Sequence, residues 1–145
     1  MLYPNSPDMG FGNNAGVEYA LKNYGKTPAK YRENSHGIAL SFRPPGPVYS
    51  VSEQIPSQHM IEPGATTDGQ VCADIVPINS VADALPLVRG EAYLWFFGSV
   101  AYTDVFGQQR TDRFLFRYVQ LRGKWRFQPY DYKHYNSSSV AHARD

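Results

Sequence analysis

Residues 91–128 read EAYLWFFGSVAYTDVFGQQRTDRFLFRYVQLRGKWRFQ, and this stretch decides the fold. It is dense in aromatic and β-branched residues, which suit a pleated surface, and two turn signals divide it into three strands. The first strand is expected from Glu91 to about Val105, the second from about Arg110 to Leu121, and the third from Lys124 to Gln128, with Pro129 ending the ladder. Side chains alternate faces with period two, so loop lengths fix the register. A two-residue loop at Arg122-Gly123 sets Tyr118 against Phe127 and Gln120 against Trp125 on one face, and Val119 against Arg126 and Leu121 against Lys124 on the other. A three-residue loop at Phe106-Gly107-Gln108, with Gly107 supplying the positive φ of the turn, puts Leu94, Phe96, Val100 and Tyr102 with Phe114, Phe116, Tyr118, Trp125 and Phe127. That set is the expected core. A two-residue loop there would swap the faces of one strand.

The opposite face holds Tyr93, Trp95, Phe97, Ser99, Ala101 and Thr103, then Thr111, Arg113, Leu115 and Arg117, then Lys124 and Arg126. Three neighbouring large aromatics do not stand in bare water, so another segment, a second copy or a ligand should cover them. Aromatics beside cations suit a protein interface, or stacking and phosphate contact with single-stranded nucleic acid. The candidate binding residues are therefore Trp95, Phe97, Arg113, Arg117, Lys124 and Arg126. The competing reading puts Trp95 and Phe97 in the sandwich interior, with the arginines as its rim.

The 145 residues suit one domain, and 42% hydrophobic residues allow a sizeable core. Eleven Tyr, 12 Gly and 11 Pro favour strands joined by many turns. A formal net charge of +1 gives no whole-molecule signal for nucleic acid. The balance is nonetheless uneven: residues 1–105 carry −4 and residues 106–145 carry +5. Cys72 is the single cysteine, so no intrachain disulfide forms, and a small hydrophobe in a strand is its expected role. The opening MLYPNSPDMGFGNNAG has neither the basic nor the apolar region of a signal peptide, and the longest apolar run, AYLWFF, is far short of a membrane span. A chain complete as given is expected in the cytoplasm. A membrane enters only if an N-terminal anchor has been removed.

Outward from the meander, residues 1–16 read as an irregular lead-in, rich in Asn, Gly and Pro. Strands are expected at Val17 to Asn23, Ala29 to Glu33, and Ile38 to Phe42, the last separate from its predecessor or continuing it. RPPGP at 43–47 breaks regular structure, residues 48–60 are ambiguous, Met60 to Glu62 reads as a short edge strand, and Gln70 to Val76 as another. Residues 79–85 suit one or two helical turns, capped by Asn79 or Ser80 and limited by Pro86. Tyr130, Tyr132 and Tyr135 should pack the closing segment against the sheet edge, and residues 137–145 read as a mobile tail. About seven strands with at most one short helix make an all-β antiparallel sandwich over residues 17–136, with a small barrel as the second choice.

The stretches LKNYGKTPA (21–29), IEPG (61–64), FFGSVAYTDVFGQQRTDRFLFRY (96–118) and YKHYN (132–136) carry a resemblance. They resemble uncharacterised bacterial immunoglobulin-like β-sandwich proteins, which often have an N-terminal membrane helix. The resemblance implies an immunoglobulin-like sandwich and no assigned activity. No such helix precedes Val17 here, which departs from that group.

Sequence motifs for catalysis are missing. There is no G-x-S-x-G elbow, phosphate-binding loop or dinucleotide fingerprint, and His36, His59, His134 and His142 are scattered as surface or tail residues rather than spaced as metal ligands. Asp104 and Asp112 flank the first turn, where Asp104 is expected to satisfy turn amides or pair with Arg110 rather than act in acid–base chemistry. The expectation is a non-catalytic interaction module with no cofactor, no metal and no catalytic residue. It would pair with itself or a protein partner through the meander's outer face or an edge strand. The alternative is a small-molecule binder or enzyme with a pocket under the 43–70 loops.

Overall fold

The computed structural model describes residues 1–10, 16–49, 51–67, 71–75, 81–132 and 135–140. Among these, the strands are β1 (Leu2–Gly10), β2 (Gly16–Asn23), β3 (Ala29–Ser41), β4 (Val51–Ile61), β5 (Val71–Ile75), β6 (Tyr93–Thr103), β7 (Gln109–Leu121), β8 (Lys124–Pro129) and β9 (Ser137–Val140). A single short helix, α1 (Val81–Val88), lies between β5 and β6. A three-stranded sheet in the order β1-β2-β5 covers part of a larger one in the order β4-β3-β6-β7-β8, with β9 on β7 beside β8. Every pairing is antiparallel, so the chain is an all-β antiparallel sandwich.

The core lies between the sheets. Leu2, Val17, Tyr19 and Leu21 from the small sheet meet Phe96, Val100, Phe114 and Phe116 from the large one. Tyr19 sits 4.8 Å from Phe96 between ring centroids. Period-two alternation on β2 explains its half: Val17, Tyr19, Leu21 and Asn23 all point inward. Polar bonds also join the sheets through the core: the Leu2 amide donates to the buried Asp112 carboxylate at 2.9 Å, and Asn34 Nδ2 donates to the Tyr19 hydroxyl at 2.5 Å.

The meander has the expected faces. At its second turn Arg122 (φ 51°) and Gly123 (φ 80°) form a two-residue loop, and the pairs 118/127, 119/126, 120/125 and 121/124 follow. At the first turn the three-residue loop is Val105-Phe106-Gly107, one residue earlier than expected, because Asp104 faces Gln108. The Asp104 carboxylate accepts the Phe106 and Gln108 amides, each at 2.9 Å, and Arg110 Nε at 2.8 Å. A one-residue move of the loop shifts the partner by two, so no side chain changes face.

Of the two readings of 29–33 and 38–42, the continuous one holds: they are one strand, β3, with a bulge at Arg32. Three expectations are corrected. Residues 1–16 are not wholly irregular, because β1 occupies Leu2–Gly10 and pairs with β2. The helix runs past Pro86 to Val88. Within the tail, Ser137–Val140 forms β9 on β7. The cap expected at Asn79 or Ser80 falls outside the described residues, as do residues 141–145.

Candidate functional site

The outer face of β6 and β7 is covered by the chain itself. Trp95, Phe97, Leu115 and Tyr135 form a second buried cluster, with Tyr49, Tyr93 and Tyr130 packed around it. Among the described residues, 43–49, 130–132 and 135–136 make this lid without regular structure, and side-chain hydrogen bonds hold it. The Tyr135 hydroxyl donates to the Pro45 carbonyl at 2.8 Å, and beneath the lid Trp95 Nε1 donates to the Ser41 carbonyl of β3 at 2.9 Å. Asn136, at φ 52°, sits between β8 and β9: its Oδ1 accepts the Leu115 amide at 3.3 Å and its Nδ2 donates to the Tyr130 carbonyl at 2.6 Å. The Tyr3 hydroxyl donates to the same Oδ1, linking β1 to this junction. Burial, with Tyr24 nearby, pushes the Tyr3 hydroxyl up to about 12. Burial raises Tyr49 and Tyr135 as well.

The six candidate residues therefore separate. Trp95 is 1% and Phe97 4% exposed, so neither is a surface residue, and of the three covers expected for them it is another segment of the chain that lies over them. Arg113 is partly buried on β7 opposite Ser99. Arg117 lies between the Tyr93 and Tyr130 rings, 4.8 Å from each centroid. Only Lys124 and Arg126 stand together and exposed, on β8. His36 also departs from expectation: it is fully buried, edge-on to Tyr19 at 5.8 Å. Asp104 and Asp112 do not act as a pair, since Asp104 is committed to its turn and Asp112 to Leu2. Arg110 above all, then the Gln108 and Phe106 amides, holds the Asp104 carboxyl low against the opposing effect of burial.

β8 is the last strand of the large sheet, and its geometry follows from the two-residue turn. Leu121 and Lys124 close that turn as a hydrogen-bonded pair, so 119/126 and 117/128 are hydrogen-bonded pairs too. Tyr130 N–H donates to the Leu115 carbonyl at 2.9 Å, continuing the same series. The amides and carbonyls of Trp125 and Phe127 must then point away from β7, towards the open edge. Pro129, opposite Phe116, takes an outward position where a missing N–H costs the ladder nothing.

Side chains on β8 alternate as its backbone does. Trp125 stacks on Tyr118 at 5.5 Å, and Phe127 lies 4.8 Å from Tyr118 and 6.0 Å from Phe96. These rings are only partly covered. Across from them Ser6, Pro7 and Asp8 of β1 complete a cleft of about 470 Å³, which Lys124 and Arg126 also line. A neighbouring cleft of about 400 Å³ adds Tyr3, Tyr24 and Phe116. On the other face, Leu121, Arg122, Lys124 and Arg126 line a depression of about 420 Å³. Among the described residues these three cations have no ion-pair or hydrogen-bond partner.

Trp125, Phe127 and Arg122 were not among the expected site residues. The signal was their place in the chain order: the last strand of a meander is an edge unless something later pairs with it. No helix among the described residues is long and apolar enough to cross a membrane. No family model, curated protein or solved structure matches this chain.

Proposed function

We propose that this chain is a non-catalytic interaction module whose β8 edge takes up an extended segment of a protein partner as an added strand. The observation behind the proposal is the row of outward amides and carbonyls at Trp125 and Phe127, beside an aromatic cleft. The other long edges are blunted. β1 carries Pro4 and Pro7, a positive φ at Ser6 and a register shift between Asn5 and Asp8. The β4 ladder passes from His59 to Gln54 while β3 advances only from Tyr31 to Glu33, which leaves residues 55–58, Pro56 among them, out of register. β8 pairs without a shift along its whole length.

Kinship with the bacterial immunoglobulin-like group belongs to this reading too, supported by the two-sheet antiparallel architecture alone; membrane attachment is the context that kinship implies. A pocket under the 43–70 loops draws no support from the clefts described above, whose linings lie elsewhere.

The test is selection of binders from a random peptide library, followed by amide hydrogen exchange. Selected peptides should protect the Trp125 and Phe127 amides, which exchange quickly in the free protein. Binders that leave those two amides unprotected, or a library that yields none, would end the proposal.

A further inference from the structure

Resting on that reading, we infer that the segment taken up at β8 alternates acidic and apolar residues and belongs to a different chain, not to a second copy of this one. An added strand shares the period of the strand it pairs with. Half of its side chains fall beside Trp125 and Phe127, next to the aromatic cleft. The other half fall beside Lys124 and Arg126, with Arg122 at the turn. The first set of positions favours apolar residues by burial.

The second set favours carboxylates. Arg122, Lys124 and Arg126 are without ion-pair partners among the described residues, and three cations line one depression with a single leucine. Opposite charges across a strand pair attract, and like charges directly opposite repel. A second copy docking β8 against β8 would bring Lys124 and Arg126 up to their own counterparts. The same alternation that invites an acidic strand therefore disfavours self-pairing.

The inference is tested with the full chain and three synthetic peptides of equal length: Val-Glu repeats, Val-Ser repeats and Val-Lys repeats. Binding is read by calorimetry at low and high salt, and its place by exchange at the Trp125 and Phe127 amides. The Val-Glu peptide should bind roughly tenfold more tightly than the Val-Ser peptide, with the Val-Lys peptide weakest and the differences shrinking as salt rises. The double variant Lys124→Glu/Arg126→Glu changes two exposed side chains, so it should fold as the parent does, and it should reverse the order of the three peptides.

If Val-Ser binds as tightly as Val-Glu while both amides are protected, strand uptake stands and the acidic pattern is overturned. An order unchanged in the double variant overturns it equally. Self-association that protects the same two amides removes the requirement for a different chain. Should none of the peptides bind at low salt, with both amides still exchanging quickly, strand uptake and pattern fall together.

Discussion

The two faces of the β6–β7 wall both carry large aromatic side chains, the outer one with two arginines among them, and they are closed in different ways. One lies under β1 and β2, whose own alternation supplies Leu2, Val17, Tyr19 and Leu21. The other lies under residues 43–49, 130–132 and 135–136, which have no repeating pattern and contribute Tyr49, Tyr130 and Tyr135 one at a time. A lid made of strands is held by a ladder of backbone bonds, and no single side chain carries it. A lid made of irregular chain depends on a few side-chain bonds, so single substitutions there should loosen it locally before the rest of the molecule responds.

The largest effect is expected on the sheet-covered face. Phe114→Ala should cost about 3–5 kcal/mol, because a fully buried ring is lost from beneath a layer that cannot collapse to fill the space. Urea unfolding should show one transition moved to lower denaturant; a loss below about 1 kcal/mol would mean that this face is loosely packed. Next comes Asn136→Ala, at about 2 kcal/mol, since it strands the Leu115 amide and the Tyr130 carbonyl together. Its signature is local: faster amide exchange at Tyr130 and Tyr135 with β2 unchanged. Equal acceleration in β2 would break the comparison and make both lids one cooperative unit.

Tyr135→Phe should cost about 1 kcal/mol through the lost bond to Pro45. It also carries a pH signature. Burial above all, with Tyr49 nearby, raises the Tyr135 hydroxyl above its ordinary value of 10.0. The folded chain keeps that proton where the unfolded chain releases it, so its contribution is complete below that value and declines as pH rises beyond it. The phenylalanine variant should show a shallower alkaline decline in melting temperature than the parent; identical slopes would remove Tyr135 from the account. The smallest effect belongs to Asp104→Asn, because asparagine can still accept the two turn amides and only the charge facing Arg110 is lost. Arg110 and two turn amides depress the Asp104 carboxyl, so its contribution exists above the ordinary carboxylate value and fades as pH falls through the lowered one. Acid titration of stability should be slightly flatter in the variant.

Much of the wall could be read directly from the residues. Arg122-Gly123 dictates a two-residue loop, and with it the whole β7–β8 register. Asp104 moved the other loop by one residue, since a side chain accepting two turn amides is a local preference that alternation does not report. β1 was hidden because Pro4, Ser6 and Pro7 give it the composition of a loop, although an edge strand tolerates all three. Alternation leaves β3 open as one strand or two, because its bulge restores the buried face while breaking the period. At the candidate site, alternation puts Lys124 and Arg126 on the exposed face of β8, but it does not show which segment covers Trp95 and Phe97, because residues 43–49 have no period to recognise. Phe127 packs against the inter-sheet core as alternation implies, whereas Trp125 stacks on Tyr118 and stays half-exposed, which nothing in its own strand reports.

Leu2 and the carboxylate that receives its amide are 110 positions apart in the chain. During synthesis the first strand leaves the ribosome long before Asp112 exists to fasten it, and pairings over such separations form slowly. Leu2 can pair with Asn23 in the β1–β2 ladder as soon as β2 is made, but its outward amide stays without its carboxylate until all but the closing strands exist, so the two sheets are fastened together late.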